Sequence, residues 1–190
     1  MKILVGISGA SSVELGFCLL NALEKFTPKD DEIFAILSKG ARVSFEAEMP
    51  SNSLNLTLSK LKKTQFLDDD NLAASVSSGS FGINKTIIAP CSLNTLSKIK
   101  HGIADTLITR SAAVALKERK RLILGVREMP FSTLSLKQMF KLSKMGVIIA
   151  PPVFASYFQA QNLSDLQNFI VGKWLNLLEI EHNLYKKWGE

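Results

Sequence analysis

The sequence is poor in the residues that build disulfide frameworks and metal sites, because it has two cysteines and two histidines. Cys18 and Cys91 lack the paired spacing of zinc ligands, and we expect reduced thiols, as in a cytoplasmic protein. Long apolar runs are also missing, since no segment reaches the roughly 18 residues of a membrane-spanning helix. Glycines interrupt the short apolar run at the start of the chain, which is not typical of a targeting signal. We therefore expect a cytoplasmic protein without a membrane span.

Two common phosphate-binding motifs are absent as well. The sequence has neither G-x-G-x-x-G nor a glycine followed by Lys and Ser or Thr. The apolar residues KILV are followed instead by GISGASS at positions 6–12, and then a helical pattern begins. A turn of this kind would place backbone N–H groups and hydroxyls at the start of a helix, where anions bind. The stretch therefore predicts an anion site but does not identify the anion.

The composition predicts a single soluble domain over residues 1–190. The chain is 46% apolar and 21% charged, which is ordinary for a globular protein. Its net charge of +6 is compatible with nucleic-acid binding, but the lysines and arginines are spread along the chain without aromatic and basic blocks. We therefore predict no binding to nucleic acid.

Five apolar runs have the length of strands, and helical periodicity fills several of the stretches between them. The runs are KILVGI, EIFAIL, TIIAP, RLILGV and GVIIAP. They are continuously apolar, which is typical of parallel strands buried on both faces. The pattern predicts a three-layer α/β/α, Rossmann-like (flavodoxin-like) open parallel sheet, whose ligands bind beyond the carboxyl ends of the strands. We interpret the segment from Met49 to Gln65, which has no clear pattern, as a surface excursion.

Hydroxyl side chains accumulate in the loops of this chain. Each of them alone is explained more readily as a helix cap than as a ligand-binding group. Because they recur after successive strands, together they predict a wall of hydrogen-bond donors around one crevice, suited to a cofactor that carries phosphate. The residues are Ser8, Ser11, Ser12, Ser38, Ser77, Ser78, Ser80, Ser92 and Thr95.

Charged residues are expected near the same crevice. Arg127 and Glu128 directly follow the run RLILGV. Arg110 and Lys117 are two helical turns apart and project from one side of a predicted helix. Glu128 and Glu48 stand beside hydroxyl-rich loops, where a carboxylate can carry protons or can merely form an ion pair.

A series of motifs, in order along nearly the whole chain, resembles the UbiX-type flavin prenyltransferases of the UbiX/Pad flavoproteins. The motifs are GISGAS, SKGAR followed by Glu48, LAASVSSGSF, IIAPCSLNTLSKI, LITR with VALKER, VREMPFS, KMGVIIAPPV and KKWG. The resemblance implies an enzyme that binds reduced FMN and transfers to it a dimethylallyl group from dimethylallyl monophosphate, with bonds to flavin nitrogen 5 and carbon 6. The product, prenylated FMN, would serve UbiD-type decarboxylases, most commonly in ubiquinone biosynthesis. A homo-dodecamer with active sites at subunit contacts is also implied.

The same resemblance implies roles for individual residues. The FMN site would comprise Ala10, Ser11 and Ser12 in a first turn, Ser38 in a second, Ser92, Leu93, Asn94 and Thr95 in a third, and Arg127. The dimethylallyl phosphate would be held by Tyr157 and Lys173, assisted by Arg110 and Lys117, and Trp188 would help to stabilise the allylic cation. Glu48 and Glu128 match the carboxylates that handle protons.

We expect no metal at this site. Prenyltransferases that use diphosphates recruit magnesium through D-D-x-x-D motifs, but the run Asp68-Asp69-Asp70 is followed by Asn71 and Leu72 and does not have that spacing. We therefore interpret the run as a solvated turn, and we expect cationic side chains to stabilise the leaving phosphate.

Three positions depart from the family pattern. The family has Gly where Ser12 stands, Asp where Ala113 stands and Arg where Lys173 stands. We expect the first change to be mild because serine can begin a helix. Lysine at position 173 keeps the charge but loses the planar fork that grips phosphate at two points. Alanine at position 113 would remove a salt bridge between the helix and a loop.

Two other functions stay open at this point. The first is an FMN-dependent cysteinyl decarboxylase of the related fold, but those enzymes carry a catalytic histidine early in the chain, whereas this sequence has only His101 and His182. The second is a non-catalytic flavin carrier, which would bind FMN without forming product.

Overall fold

A six-stranded parallel sheet forms the centre of the protein. The computed structural model describes residues 1–49, 51 and 53–189. The strands are β1 (Lys2–Ile7), β2 (Glu32–Leu37), β3 (Thr64–Asp68), β4 (Lys85–Cys91), β5 (Arg121–Val126) and β6 (Ile148–Ile149). They lie in the order β3-β2-β1-β4-β5-β6, the doubly wound Rossmann order, in which the winding reverses between β1 and β4.

Helices cover both faces of the sheet, so the predicted three-layer α/β/α architecture is confirmed. On one face lie α1 (Glu14–Phe26), α2 (Lys39–Glu48), α3 (Leu54–Lys60) and α7 (Leu163–Leu177). On the other lie α4 (Leu93–His101), α5 (Leu107–Lys117) and α6 (Thr133–Lys144). Because β1, β2, β4 and β5 are buried at every position after their first residue, they are the strands that appear in the sequence as continuous apolar runs. Within the described residues, no helix is long and apolar enough to cross a membrane.

The segment from Met49 to Gln65 is only partly the surface excursion that the sequence predicts, because α3 has no buried residue but the segment also enters the sheet. Residues 50 and 52 lie outside the described residues, but the rest contains α3 and the start of β3, which pairs with β2 at the edge of the sheet. Because an edge strand is only partly covered, Thr64–Asp68 mixes buried, half-buried and exposed residues and does not form an apolar run. At the opposite edge, β6 is only two residues long, although the run GVIIAP suggests a longer strand.

The end of α7 is held by two cations from the amino end of the sheet. Arg121 donates hydrogen bonds to the Leu177 carbonyl at 2.8 Å and to the Glu179 carboxylate at 2.7 Å. Lys85 donates to the Leu178 carbonyl and, at 2.8 Å, to the Glu179 carboxylate. The hydrogen bonds from Lys85 and Arg121 lower the pKa of Glu179 to about 2. The carboxylate therefore links the last turn of α7 to the starts of β4 and β5.

We predict that replacing Glu179 by Gln destabilises the fold in a pH-dependent way. The pKa of Glu179 falls from 4.5 to about 2 on folding, so its contribution to the free energy of unfolding is present above pH 4.5 and is lost as the pH falls towards 2. Thermal unfolding should show a lower midpoint for the variant at neutral pH, and the gap to the parent should close between those two values. Glu181→Gln, at an exposed position nearby, is the control. An equal gap at every pH would contradict the prediction.

Candidate active site

Two adjoining cavities open at the carboxyl edge of the sheet. The larger, about 940 Å³, has mainly apolar walls from the loops after β1, β5 and β6 and from α7, and we call it the apolar cavity. The smaller, about 510 Å³, is lined by the first residues of α2, α4 and α5, and we call it the polar cavity. Glu128 lines both cavities. Both lie within the size range of small-molecule sites, and a ligand with a polar and an apolar part would fit across them.

Three helices begin at the polar cavity and point their N-termini towards it. Ser38, Ser92 and Thr106 are the N-caps of α2, α4 and α5, and each side-chain oxygen accepts a hydrogen bond from a backbone N–H of its own helix. Ser38 and Ser92 are thus helix caps, as each was expected to be when considered alone, and Thr106 is a further cap that the sequence analysis did not single out. The N-termini bring partial positive charge to the cavity. The Ser92 hydroxyl donates to the Thr95 hydroxyl at 3.1 Å, which leaves the Thr95 hydroxyl a proton to donate to a ligand. The cavity is therefore suited to a phosphate group.

Two lysines at the polar cavity were missed by the sequence analysis. Lys39 pairs with Asp70 at 2.8 Å, and Lys98 pairs with Asp105 at 2.7 Å. The hydrogen bond with Asp70 raises the pKa of Lys39, so this lysine is charged at neutral pH. Their positions in the sequence could have predicted them, because Lys39 directly follows the cap Ser38 and Lys98 lies one turn after Asn94. Both lysines bring positive charge to the cavity that has the three helix N-termini, and the carboxyl groups of Asp69, Asp70 and Glu128 lie in the same lining.

Asp69 is not in a solvated turn, so the prediction for the acidic run is wrong at its central residue. Asp69 is buried, and its Oδ1 accepts a hydrogen bond from the Ile108 N–H at 2.9 Å. Its backbone carbonyl accepts from the Leu107 N–H at 2.7 Å. The first N–H groups of a helix need acceptors, and Asp69 supplies two of them to α5. Desolvation by burial raises the pKa of this carboxyl group.

The turn after β1 has one structural serine and one exposed serine. Ser8 is buried, donates its hydroxyl to the Pro90 carbonyl at 3.1 Å and accepts from the Ser92 N–H at 2.8 Å. It ties β1 to β4 and is not part of the predicted wall of ligand donors. Ser11 is exposed, lines the apolar cavity and makes no hydrogen bond to any described residue. Ser12 lines the same cavity, so both serines of this turn can contact a ligand there.

The departure at Ser12 is not the mild change that the sequence predicts. Ser12 has φ +66°, in the left-handed region that favours glycine, and the helix cap is the next residue, Val13. A side chain in this region meets the following carbonyl, at a cost of roughly 1–2 kcal/mol. A glycine at this position would avoid that cost, which gives a physical reason for the family pattern.

We therefore predict that Ser12→Gly stabilises the protein. Relief of the left-handed backbone should outweigh the extra freedom of glycine in the unfolded chain, and should raise the free energy of unfolding by up to about 1 kcal/mol. Ser11→Gly is the matched control, because Ser11 is not among the residues with positive φ. It should lower the free energy of unfolding. Chemical denaturation of both variants checks the prediction, and destabilisation by Ser12→Gly would refute it.

The two candidate catalytic carboxylates reach the cavities from different sides. Glu48, the last residue of α2, accepts a hydrogen bond from the Val13 N–H at 3.0 Å and lines the apolar cavity. Glu128, after β5, is half-buried and accepts from the neighbouring Met129 N–H at 3.0 Å. Arg127 lines the apolar cavity beside it, yet the two form no ion pair within the described part of the chain. Glu128 therefore has free carboxylate capacity at the junction of the cavities.

The two cysteines have no reactive role at this site. Burial raises the pKa of Cys18 to about 11 and that of Cys91 to about 12. Both are free cysteines. At neutral pH they are protonated and are not nucleophiles.

Arg110 and Lys117 lie away from the two cavities, together with three of the predicted wall serines. We call these five residues, Ser77, Ser78, Ser80, Arg110 and Lys117, the α5 patch. Arg110 donates to the Ser77 carbonyl at 3.0 Å, Lys117 pairs with Glu118, and the hydroxyls of Ser78 and Ser80 are 2.8 Å apart. Ala113 lies between the two cations on the same side of α5, so the family's Asp would stand one turn from each. Here the Ser77 carbonyl and Glu118 provide the partners instead.

Tyr157, Lys173 and Trp188 form a second group, which we call the α7 patch. The Tyr157 ring lies edge-on to Trp188, with ring centroids 5.2 Å apart, and edge-on to Phe169 at 5.8 Å. Lys173 is exposed and lies one turn after Phe169 on α7. Among the described residues, no member of either patch lines the apolar or the polar cavity. A single chain therefore does not bring all the predicted substrate residues together.

The apolar wall beyond β6 was seen in the sequence only as a loop. Pro151, Phe154, Leu166 and Ile170 line the apolar cavity together with Phe131. The helical pattern of residues 163–177 was the signal that could have located half of this wall. The wall is suited to an apolar group of a ligand.

Known proteins resemble this chain over its whole length. The family model described as Flavoprotein matches residues 1–175. Flavin prenyltransferase UbiX of Campylobacter jejuni subsp. jejuni is 61% identical over 188 residues, which cover 99% of this chain and 98% of that protein. The dodecameric FMN-dependent UbiX-like decarboxylase from Escherichia coli O157:H7 has a TM-score of 0.92 at 37% identity and 100% coverage of both chains. AnUbiX (PadA1), solved with FMN and dimethylallyl pyrophosphate, has a TM-score of 0.91 at 34% identity, covering 100% of this chain and 97% of that one.

A more distant structure bears on the decarboxylase alternative. The cypemycin decarboxylase CypD has a TM-score of 0.64 at 17% identity and covers 79% of this chain. A likeness at this level shows a shared fold and carries no information about the reaction. The two histidines also lie away from the first strand, His101 at the end of α4 and His182 after α7.

Proposed function

This chain belongs to the flavoprotein family, and within it to the UbiX-type flavin prenyltransferases, and we propose that it transfers a dimethylallyl group from dimethylallyl monophosphate to reduced FMN. The observation that carries the proposal is the pair of cavities that meet at Glu128, one polar and one apolar. The metal-free reaction, the monophosphate donor and the site residues are part of the proposal.

The residues of both cavities fit FMN. Ser38, Ser92, Leu93, Asn94 and Thr95, with Lys39 and Lys98, would hold the phosphate and ribityl chain where three helix N-termini converge. Ala10, Ser11, Ser12 and Arg127 would hold the flavin ring towards the apolar cavity. When bound, reduced FMN supplies the electron-rich ring whose nitrogen 5 and carbon 6 take the dimethylallyl group. The apolar wall and Phe131 would exclude water from the prenyl group.

The chain's own cations would stabilise the leaving phosphate, and its carboxylates would handle protons. Arg110, Lys117 and Lys173, with the Tyr157 hydroxyl, would neutralise the leaving phosphate, so that a metal ion is not needed. The ring faces of Tyr157 and Trp188 would stabilise the allylic cation. A carboxylate oxygen of Glu128 would accept the proton released on ring closure, and Glu48 would hold or pass a proton on the α1 side of the cavity.

Separation of the two patches supports a site shared between copies of the chain. The rim of the apolar cavity also exposes large apolar side chains, with Met129 at 88%, Val153 at 68% and Phe154 at 58% exposure. Exposed apolar groups of this size mark contact surfaces. We therefore propose a homo-oligomer, a dodecamer by the family resemblance, in which a neighbour's α5 patch faces the α7 patch.

The product would be released to a second enzyme. Prenylated FMN would serve a UbiD-type decarboxylase in the cytoplasm, with ubiquinone biosynthesis as the commonest pathway of the family. The cysteinyl decarboxylase and the flavin carrier are the competing functions, and each predicts unmodified FMN in the assay below.

The test is an anaerobic reaction of the protein with reduced FMN and dimethylallyl monophosphate, followed by mass analysis of the extracted flavin. We expect FMN to gain one dimethylallyl group, with no loss of rate in chelator, and we expect FMN rather than FAD to be recovered from the purified protein. A parallel reaction with dimethylallyl pyrophosphate tests the donor. Unmodified FMN would overturn the proposal, and a chelator-sensitive rate restored by magnesium would overturn the metal-free mechanism. A faster reaction with pyrophosphate would overturn the monophosphate assignment.

A further inference from the structure

The residues from His182 to Gly189 fold back over α7, and we call this segment the clasp. It lies beyond residues 1–175, which the family model matches. It contains one of the chain's two histidines and ends next to Trp188, a member of the α7 patch. Its contacts with α7 are specific and start at His182.

His182 is hydrogen-bonded in a way that defines its protonation. The Leu184 N–H donates to His182 Nδ1 at 3.2 Å, so Nδ1 is an acceptor and carries no proton. The proton therefore lies on Nε2, which is 3.1 Å from the Asn176 Oδ1. The Asn176 amide in turn donates to the Tyr185 hydroxyl at 3.0 Å. The neutral imidazole and Asn176 thus connect α7 to Leu184 and Tyr185 of the clasp.

The clasp packs against α7 at Gly172. A Cβ atom added to Gly172 would lie 2.5 Å from the Tyr185 ring and 2.7 Å from the His182 ring. Both rings therefore lie directly on the helix backbone, which only glycine permits. The next residue is Lys173, the cation of the α7 patch.

A chain of aromatic contacts connects the clasp to Tyr157. The Tyr185 ring packs on Phe169 with centroids 4.8 Å apart, and Phe169 stacks on Phe158 at 4.6 Å. Tyr157 lies between Phe169 at 5.8 Å and Trp188 at 5.2 Å. Tyr157 is thus in edge contact with a ring on α7 and a ring on the clasp.

From these contacts we infer that His182, in its neutral form, is a positioning residue that holds the clasp so that Trp188 fixes Tyr157 for the substrate phosphate. The role of Tyr157 rests on the proposed function, but the hold of His182 on Trp188 does not. Protonation would place an N–H of the imidazolium against the N–H of Leu184 and release the clasp.

The surroundings of His182 favour the neutral form. Burial lowers the pKa of His182 below 6.5, Lys187 acts in the same direction, and the Gly172 carbonyl partly offsets them. Tyr185 also faces the ring, and Phe26 of α1 packs on it with Lys25 above Phe26. Because the folded pKa is below the unfolded value, the clasp is held above pH 6.5 and is lost as the pH falls through the folded pKa.

The experiment first follows Trp188 fluorescence without substrate, and the signal of a Trp188→Phe protein is subtracted to remove the buried Trp174. Because Trp188 is 80% exposed and already emits as a solvated indole, the readout is the anisotropy of its emission. Between about pH 8 and pH 5 we expect this anisotropy to fall with a midpoint below 6.5, at constant far-UV circular dichroism. His182→Phe keeps a ring but has neither hydrogen bond, so its anisotropy should be low at every pH. Gly172→Ala should give the same low value by displacing both rings. His101→Gln, at an exposed position on α4, should behave like the parent.

The second measurement is the reaction. His182→Phe should raise the KM for dimethylallyl monophosphate by about tenfold, with FMN affinity unchanged. Trp188 anisotropy that does not respond to pH or to His182→Phe would overturn the inference, as would an equal KM in variant and parent. If the protein forms no product at all, the proposed function fails, and the fluorescence result still decides whether His182 holds the clasp.

Discussion

Replacing Glu128 by Gln should slow prenyl transfer by about a hundredfold or more and leave FMN affinity within about twofold of the parent. The amide keeps the size of the side chain and can still accept from the Met129 N–H, but it cannot take up a proton. Glu128 lies where the two cavities meet, and it forms no ion pair within the described residues that the substitution would break. The loss should therefore appear in the rate.

Two quantities measured on the same protein check this prediction: flavin affinity by titration, and prenylated FMN by mass after timed anaerobic reactions. Glu46→Gln is the control, since Glu46 is an exposed carboxylate on α2 close to Glu48, and it should react at the parent rate. A Glu128→Gln protein that forms product at the parent rate has no need of this carboxylate. A parallel loss of FMN and activity would instead indicate a role in binding or in folding.

The sheet could be predicted from the sequence wherever burial is complete. Strands β1, β2, β4 and β5 are covered on both faces, so after their charged first residues they are apolar except at the buried Thr86 of β4. β3 was missed because it is an edge strand, where polar and apolar residues mix. A local sequence pattern shows which residues are buried. It does not show that β3 is a strand, because β3 forms by pairing with β2, which is distant in the sequence.

Site residues that follow a strand directly were predictable, whereas those defined by backbone shape or by distant partners were not. Arg127 and Glu128 follow β5 and do lie at the cavities. The positive φ of Ser12 has no sequence signal except the glycine that the family resemblance implies. Asp69 looks solvated in the sequence because its partners, the first N–H groups of α5, are nearly forty residues away, at a separation of 39 for Ile108.

The second large effect concerns sites shared between copies of the chain. Arg110→Ala and Lys173→Ala should each lower kcat/KM by about a hundredfold, because each leaves the leaving phosphate without one cation. If each site takes its α5 patch from one copy and its α7 patch from another, a mixed oligomer can contain sites with both patches intact. An equal, random mixture should then recover about one quarter of the parent activity, since half of the α5 patches and half of the α7 patches are intact.

The two variants can be joined by co-expression with different affinity tags, and the mixed oligomer isolated by purification on both. A mixture of Arg110→Ala with Lys117→Ala is the matched control. Both changes fall in the α5 patch, so every site would contain one of them and no activity should return. Recovery near one quarter in the first mixture alone would agree with the finding that, among the described residues, neither patch lines the two cavities of a single chain. If neither mixture recovers activity although both tags are present, the two patches serve the same chain's site or no common site, and the shared site is wrong.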